Sequence, residues 1–241
     1  MDWTLVYIVA AIMILPAFFY GGLSQILATS TFDKYSQNTA NSGITASSLT
    51  RKLLDKAGLN DVDIVKIDGH LTDCYDPRNK IVKLSTATYD SASIAALGVC
   101  AHEVGHAVQD AKGTFMFRLR SAIVPVVNFM SKLYLPLIIA GSIISFVLYY
   151  EPIGFYLTWA AVIMYGANTL FYFVTLPLEH DASKRALDML RDTGEFTGGE
   201  IDSANKVLKA AIQTYIATLI VSALYFLRFL SYAMIFSKDR N

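Results

Sequence analysis

Cysteine, net charge and histidine are all scarce in this chain. Two cysteines, Cys74 and Cys100, stand among 241 residues. That is too few for a disulfide scaffold, and both read as free thiols in buried or half-buried positions. The 20 Lys and Arg balance the 20 Asp and Glu, so there is no general basic field and no nucleic-acid partner is expected. Charged residues make up only 17% of the chain and hydrophobic ones 54%, with a mean hydropathy of +0.42. Those values exclude an ordinary soluble domain and point to several membrane spans with a modest polar part. The N-terminal flank has Asp2 and no Lys or Arg, and residues 4–23 carry no charge. A cleaved signal peptide wants a basic flank and a shorter apolar core, so this stretch is expected to remain as a span.

What is present divides the chain into five parts. Residues 1–29 are expected to hold an N-terminal transmembrane helix and 30–118 a polar part. Residues 119–176 should form a transmembrane hairpin, 177–212 a second polar part, and 213–241 a last helix that spans the membrane or lies on it. The fold class is then a mainly α membrane protein with three or four such helices and a small α+β cytoplasmic part. Within the first polar part the pattern predicts a helix from about Thr45 to Ala57 stopped by Gly58, and strands over 62–68 and 80–85 with "DPRN" (76–79) as the turn before the second. A further helix follows, capped by Asp90 or Ser91 and ended by Gly113.

Pro125, Lys132 and Pro136 interrupt the next apolar run, so the cleaner span there is 133–150. "EPIG" (151–154) links it to the span 155–176, and Pro177 is expected to open a new helix. The last run, 216–236, contains Arg228, which reads as a snorkelling or paired charge. The hairpin link has no Lys or Arg, whereas the polar parts on either side carry nearly all of them. By the positive-inside rule both polar parts face the cytoplasm, in a multi-pass protein of the cell membrane.

The chemistry lies in "GVCAHEVGHAVQD" (98–110). Two of the chain's four histidines fall within five residues of it. On a helix, His102 and His106 share a face one turn apart and can offer two imidazoles to one metal. Glu103 sits about 100° round the helix from His102, placed to act on a water rather than to ligate. A metal held there lowers the pKa of water to about 7, and a carboxylate then takes its proton as it attacks an amide carbonyl. Catalytic zinc usually has three protein ligands and an open position. The best source of the third is "TLPLEHDASKRALDML" (175–190). Glu179 shares its helix face with Ala182, Ser183 and Ala186, small enough for another helix to approach. His180 faces Lys184, and Asp181 faces Arg185, in solvated ion-pair patterns. Glu179 is therefore the expected ligand; His180 as ligand, and Glu179 as a mere macrodipole partner, stay open.

"SIAALGVCAHEVGHAVQD", "DCYDPRNKIVKLS" and "LPLEHDASKRAL" together resemble the membrane-bound neutral zinc metallopeptidases of bacteria, over nearly the whole chain. More distantly the sequence is similar to gluzincin-type membrane proteases of the prenyl-protein-processing and heat-shock kinds. This resemblance implies a zincin-like cytoplasmic part, zinc as cofactor, His102, His106 and Glu179 as ligands, and Glu103 as base. The distant families have an aspartate four residues after the ligand glutamate that orients a histidine; here that position is Ser183, with Asp181 as a substitute at different spacing. The near family often has a histidine where Cys74 stands and an aromatic where His180 stands. The resemblance also implies that strand 80–85 is the edge against which an extended peptide pairs. An oxyanion stabiliser is needed, with Tyr215 and His70 as the candidates.

Peptide or membrane-protein substrates and the lipid bilayer are the expected partners, and the oligomeric state is open. The leading expectation is a membrane-integrated zinc endopeptidase. A membrane scaffold or regulatory protein with a structural zinc closed by Cys74 or His180 is the alternative from another class. A metal hydrolase acting on lipid is a third.

Overall fold

The structure, a computed structural model, describes residues 2–147 and 151–238. In chain order the elements are α1 (Trp3–Ser36), α2 (Ala46–Lys56), β1 (Asp63–Ile67), β2 (Cys74–Asp76), β3 (Ile81–Ser85), α3 (Ile94–Ala111), α4 (Phe115–Phe146), α5 (Glu151–Thr193) and α6 (Gly198–Lys238). The protein is mainly α, and four of its helices, α1, α4, α5 and α6, are long and apolar enough to cross a membrane. The chain forms two compact units. A helical unit comprises Met1–Gly22, Leu119–Thr175 and Tyr215–Asn241, and a mixed unit comprises Leu23–Arg118 and Leu176–Thr214.

The long helices run further than hydropathy indicated. α1 continues beyond residue 23 to Ser36, and α4 starts at Phe115 and passes through Pro125 and Pro136. Pro177 does not open a helix: it lies inside α5, which runs unbroken from Glu151 to Thr193. A proline forfeits one backbone bond, a loss that long packed helices tolerate, while hydropathy reports only where the surroundings change. Of the expected spans, residues 148–150 at the end of 133–150 lie outside the described residues, as do the last residues of the basic tail.

In the mixed unit, α2 is amphipathic: Leu49, Leu53 and Leu54 are buried against α3 and the sheet. Thr45 caps it, its hydroxyl accepting from the Ser48 amide at 3.4 Å. Gly58, at φ +74°, supplies the left-handed turn after it. The cap of α3 is Ser93, not Asp90 or Ser91; its Oγ accepts from the Ala96 amide at 3.3 Å. The reason is tertiary. The Ala40 amide donates to the Ala92 carbonyl and the Ile94 amide to the Asn38 carbonyl, which holds residues 92–94 against the segment after α1 until the helix can begin.

The three-stranded sheet has the order β1-β3-β2, with β3 parallel to β1 and antiparallel to β2. This corrects the expectation for strand 80–85. β3 is the central strand, its backbone groups are engaged on both sides, and it offers no edge to a peptide. Its alternate residues Val82 and Leu84 are fully buried on the face that joins the core with α2 and α3. The free edges of this sheet belong to β1 and β2.

The helical unit packs α4, α5 and α6 through aromatic rings and close helix contacts. Tyr134 of α4 meets Tyr165 of α5 with centroids 4.8 Å apart and Phe229 of α6 at 6.1 Å. A Cβ on Gly141 of α4 would come within 2.9 Å of the Thr158 hydroxyl of α5, so glycine sets how near those two helices lie.

Candidate metal centre

α3 presents His102 and His106 on one face, their rings nearly perpendicular with centroids 4.7 Å apart. α5 brings Glu179 to them across a very close helix contact. A Cβ built on Gly105 would stand 2.7 Å from the Ala182 carbonyl oxygen, so α3 and α5 touch backbone to backbone with no room for a methyl group. Ala182, Ser183 and Ala186 are all buried there. Gly105→Ala is therefore expected to push α5 away and destabilise the fold by about 1–3 kcal/mol. Its zinc affinity should fall with its melting temperature, and wild-type values for both would disprove the contact's importance.

The donors converge. The Nε2 atoms of His102 and His106 lie 3.2 Å and 3.4 Å from Glu179 Oε2, and the donor atoms of the three residues all lie within 4.8 Å of one another. Glu179 is 1% exposed and His106 6%. Burial alone would raise the Glu179 pKa, but hydrogen bonds from His102 and His106 outweigh it and hold the carboxyl well below the usual range. Burial alone would lower His106; its bond to Glu179 and the charge of that carboxylate outweigh this and raise it.

The far sides of the imidazoles are also held. His102 Nδ1 meets the Ser183 hydroxyl at 3.1 Å, and His106 Nδ1 meets Gln109 Oε1 at 2.9 Å. The Gln109 amide nitrogen donates to the Leu178 carbonyl at 3.0 Å and to Asp181 Oδ2 at 2.8 Å. Both of those partners only accept, so the amide oxygen must face His106, and His106 Nδ1 must donate. A neutral His106 then points the lone pair of Nε2 at a carboxylate oxygen. Those facing lone pairs are reconciled by a cation between them: a proton, which the raised pKa of His106 favours, or a metal ion in its place. Two imidazole nitrogens and a carboxylate oxygen are the donor types that zinc takes; bonds of about 2.0–2.2 Å in a tetrahedral arrangement separate neighbouring donors by roughly 3.3 Å. The chain's own residues fit zinc.

Glu103 stays beside this cluster without joining it. It is 7% exposed, and burial raises its pKa while the two histidines pull the other way. β2 is tied to α3 next to it: the Tyr75 hydroxyl donates to Asp110 Oδ2 at 2.8 Å, and Lys80 Nζ donates to the same oxygen at 2.6 Å. Asp73 fixes the approach to β2 by accepting from the Ser85 amide and hydroxyl at 2.8 Å and 3.0 Å.

The remaining sequence candidates lie elsewhere. His70 is exposed and bonds Asp33 at 3.1 Å, and it is not among the grouped donors. Tyr215 is half-buried on α6, in the helical unit. His180 is exposed. Cys74 on β2 is exposed as a residue, yet partial desolvation of its thiol, and next the charge of Glu103, raise its pKa, and it adds no fourth donor to the group. Asp181, expected as an ion-pair partner of Arg185 or as a substitute for the orienting aspartate, bonds that guanidinium at 2.7 Å and also anchors Gln109, which in turn bonds His106. Sequence reasoning missed Gln109; its place three residues after His106, on the same helix face, was the available signal.

Residues 10–234 match the family described as "Putative neutral zinc metallopeptidase". The chain belongs to this family. The chain is similar to "Putative membrane protease YugP" of Bacillus subtilis (strain 168), 38% identical over 218 residues, covering 90% of this chain and 92% of the relative. No solved structure matches. Zinc is thus the cofactor of the family, and His102, His106 and Glu179 are the group in this metallopeptidase family member that could hold it.

Proposed function

We propose that this family member is a membrane-integrated zinc peptidase of zincin-like architecture, with His102, His106 and Glu179 as ligands and Glu103 as general base. The observation that carries the reading is a cluster of three metal donors, and not four, among the described residues, with a buried carboxylate alongside that is not one of them. Structural zinc sites are closed by four protein ligands, whereas catalytic ones keep a position open. Neither Cys74 nor His180 completes the cluster, which disfavours the scaffold alternative.

When bound, zinc supplies an electrophile that polarises the scissile carbonyl and lowers the pKa of water to about 7. Glu103 accepts the proton of the attacking water and passes it to the leaving amine nitrogen. Glu179 keeps the two Nε2 atoms converged, and Ser183 and Gln109 hold the rings from behind. An extended peptide adds to the open edge of β2, the strand bound to α3 through Tyr75 and Asp110. The basic residues concentrated in the mixed unit support a cytoplasmic location for that unit, so membrane proteins with cytoplasmic extended segments are the substrates.

The test is product sequencing from a library of unstructured peptides, with the detergent-solubilised full chain. The zinc-loaded protein is expected to yield internal cleavage products. Chelation should abolish them and added zinc restore them. Hydrolysis that persists in metal-free protein would sink the reading, as would cleavage confined to lipid esters.

A further inference from the structure

α4 is the least covered of the four long helices: only 6% of its most apolar window is buried. Its outward surface is not uniformly apolar. Ser121, Asn128 and Lys132 are all exposed, and spacings of seven and four put them on one stripe, flanked by Ser131 on one side and exposed Phe129 on the other. Polar and charged groups facing lipid are costly, and in membrane proteins such groups pair with partners.

Depth makes the case specific. Tyr134, half a turn from Lys132, lies in the aromatic cluster with Tyr165 and Phe229. Tyr165 stands near the middle of the α5 segment between Glu151 and Thr175 that belongs to the helical unit. Lys132 is therefore near mid-span. Arg120, at the basic end of α4, is about 18 Å away along the helix, further than a lysine stem can snorkel. Among the described residues no carboxylate lies within ion-pair distance of Lys132. The other cation of the spans, Arg228, is already engaged: it donates to the Tyr7 hydroxyl at 3.3 Å and sits over that ring.

We propose that the outward face of α4 is a docking surface for a transmembrane helix of another membrane protein that carries an aspartate or glutamate near its midpoint. Charge complementarity selects the occupant. In the helical unit the sequence has acidic residues only at Asp2, Glu151 and Asp239, at helix ends or in the tail, so a second copy has no carboxylate to offer Lys132 at mid-span. Asn128, one turn away, adds an amide for the same helix. The proposal depends on α4 spanning the bilayer and not on the peptidase reading.

The full chain in nanodiscs of neutral phosphatidylcholine tests it without any hydrolysis. Trp3 and Trp159 serve as energy-transfer donors to tryptophan-free, dansyl-labelled leucine–alanine helices with Glu, Gln or Leu at the centre. The Glu helix is expected to associate roughly tenfold more tightly than the Leu helix. Lys132→Met should erase that preference, Lys132→Arg should keep it, and Asn128→Leu should weaken it. An unchanged melting temperature and an unchanged near-ultraviolet circular dichroism of the aromatic cluster report that the fold of each variant is intact. Equal association of the Glu and Leu helices overturns the proposal. So does a preference that survives Lys132→Met but is lost in Arg228→Met. Loss of the preference on adding phosphatidylglycerol would assign the surface to anionic lipid. Self-association that depends on Lys132, with no response to any helix, would assign it to a second copy; either result overturns the proposal.

Discussion

Replacing Glu103 by glutamine is expected to lower kcat/KM of the zinc-loaded protein by about 10²–10⁴-fold while leaving zinc bound. The side chain is buried beside the donor cluster but is not part of it. Glutamine keeps its volume and its place in the packing and removes only the ability to take a proton. Burial disfavours the charged form of Glu103, so an uncharged replacement should not destabilise the helix that carries both histidines. Measuring zinc stoichiometry, melting temperature and peptide cleavage on the same preparation separates these effects. Activity within a few-fold of wild type would remove Glu103 from the mechanism. Loss of zinc along with activity would mean that it ligates.

Glu179→Gln should give the complementary outcome: zinc binding itself collapses, and cleavage with it. Removing an outer partner of a metal ligand typically lowers affinity about 10–100-fold, and a direct ligand should exceed that. The physical reason is the charge. Both Nε2 atoms point at one carboxylate oxygen, and in a site this buried a neutral amide cannot balance a divalent cation. Competition with a chromophoric chelator measures the loss. His180→Ala is the control, because that side chain is exposed and its removal should leave affinity unchanged. Full affinity in Glu179→Gln, or its loss in His180→Ala, would make the neighbouring histidine the ligand instead.

Much of the centre was legible from spacing. His102 and His106 share a face because an α-helix repeats every 3.6 residues, and that holds wherever the helix sits. The small residues after Glu179 announced a close helix approach, and Gly105 against Ala182 is where it occurs. α2 was readable with its glycine stop because that signal acts within one turn. The strand at 80–85 was readable as a strand but not as a central one. Its neighbours are set by which segments fold back beside it, and β2 is too short to announce itself by alternation.

By itself, then, the sequence determined the apolar helices, the pairing of two histidines with a glutamate on one helix, and the small-residue face around Glu179. These follow from local periodicity and side-chain size. Only the tertiary structure decided that Glu179 meets both imidazoles, that Gln109 and Asp181 fix the tautomer of His106, that Ser93 caps α3 and that β2, not β3, is the edge near the metal centre. Each of those depends on contacts between segments far apart in the chain, where hydrogen-bond direction and backbone approach, not composition, select the partner.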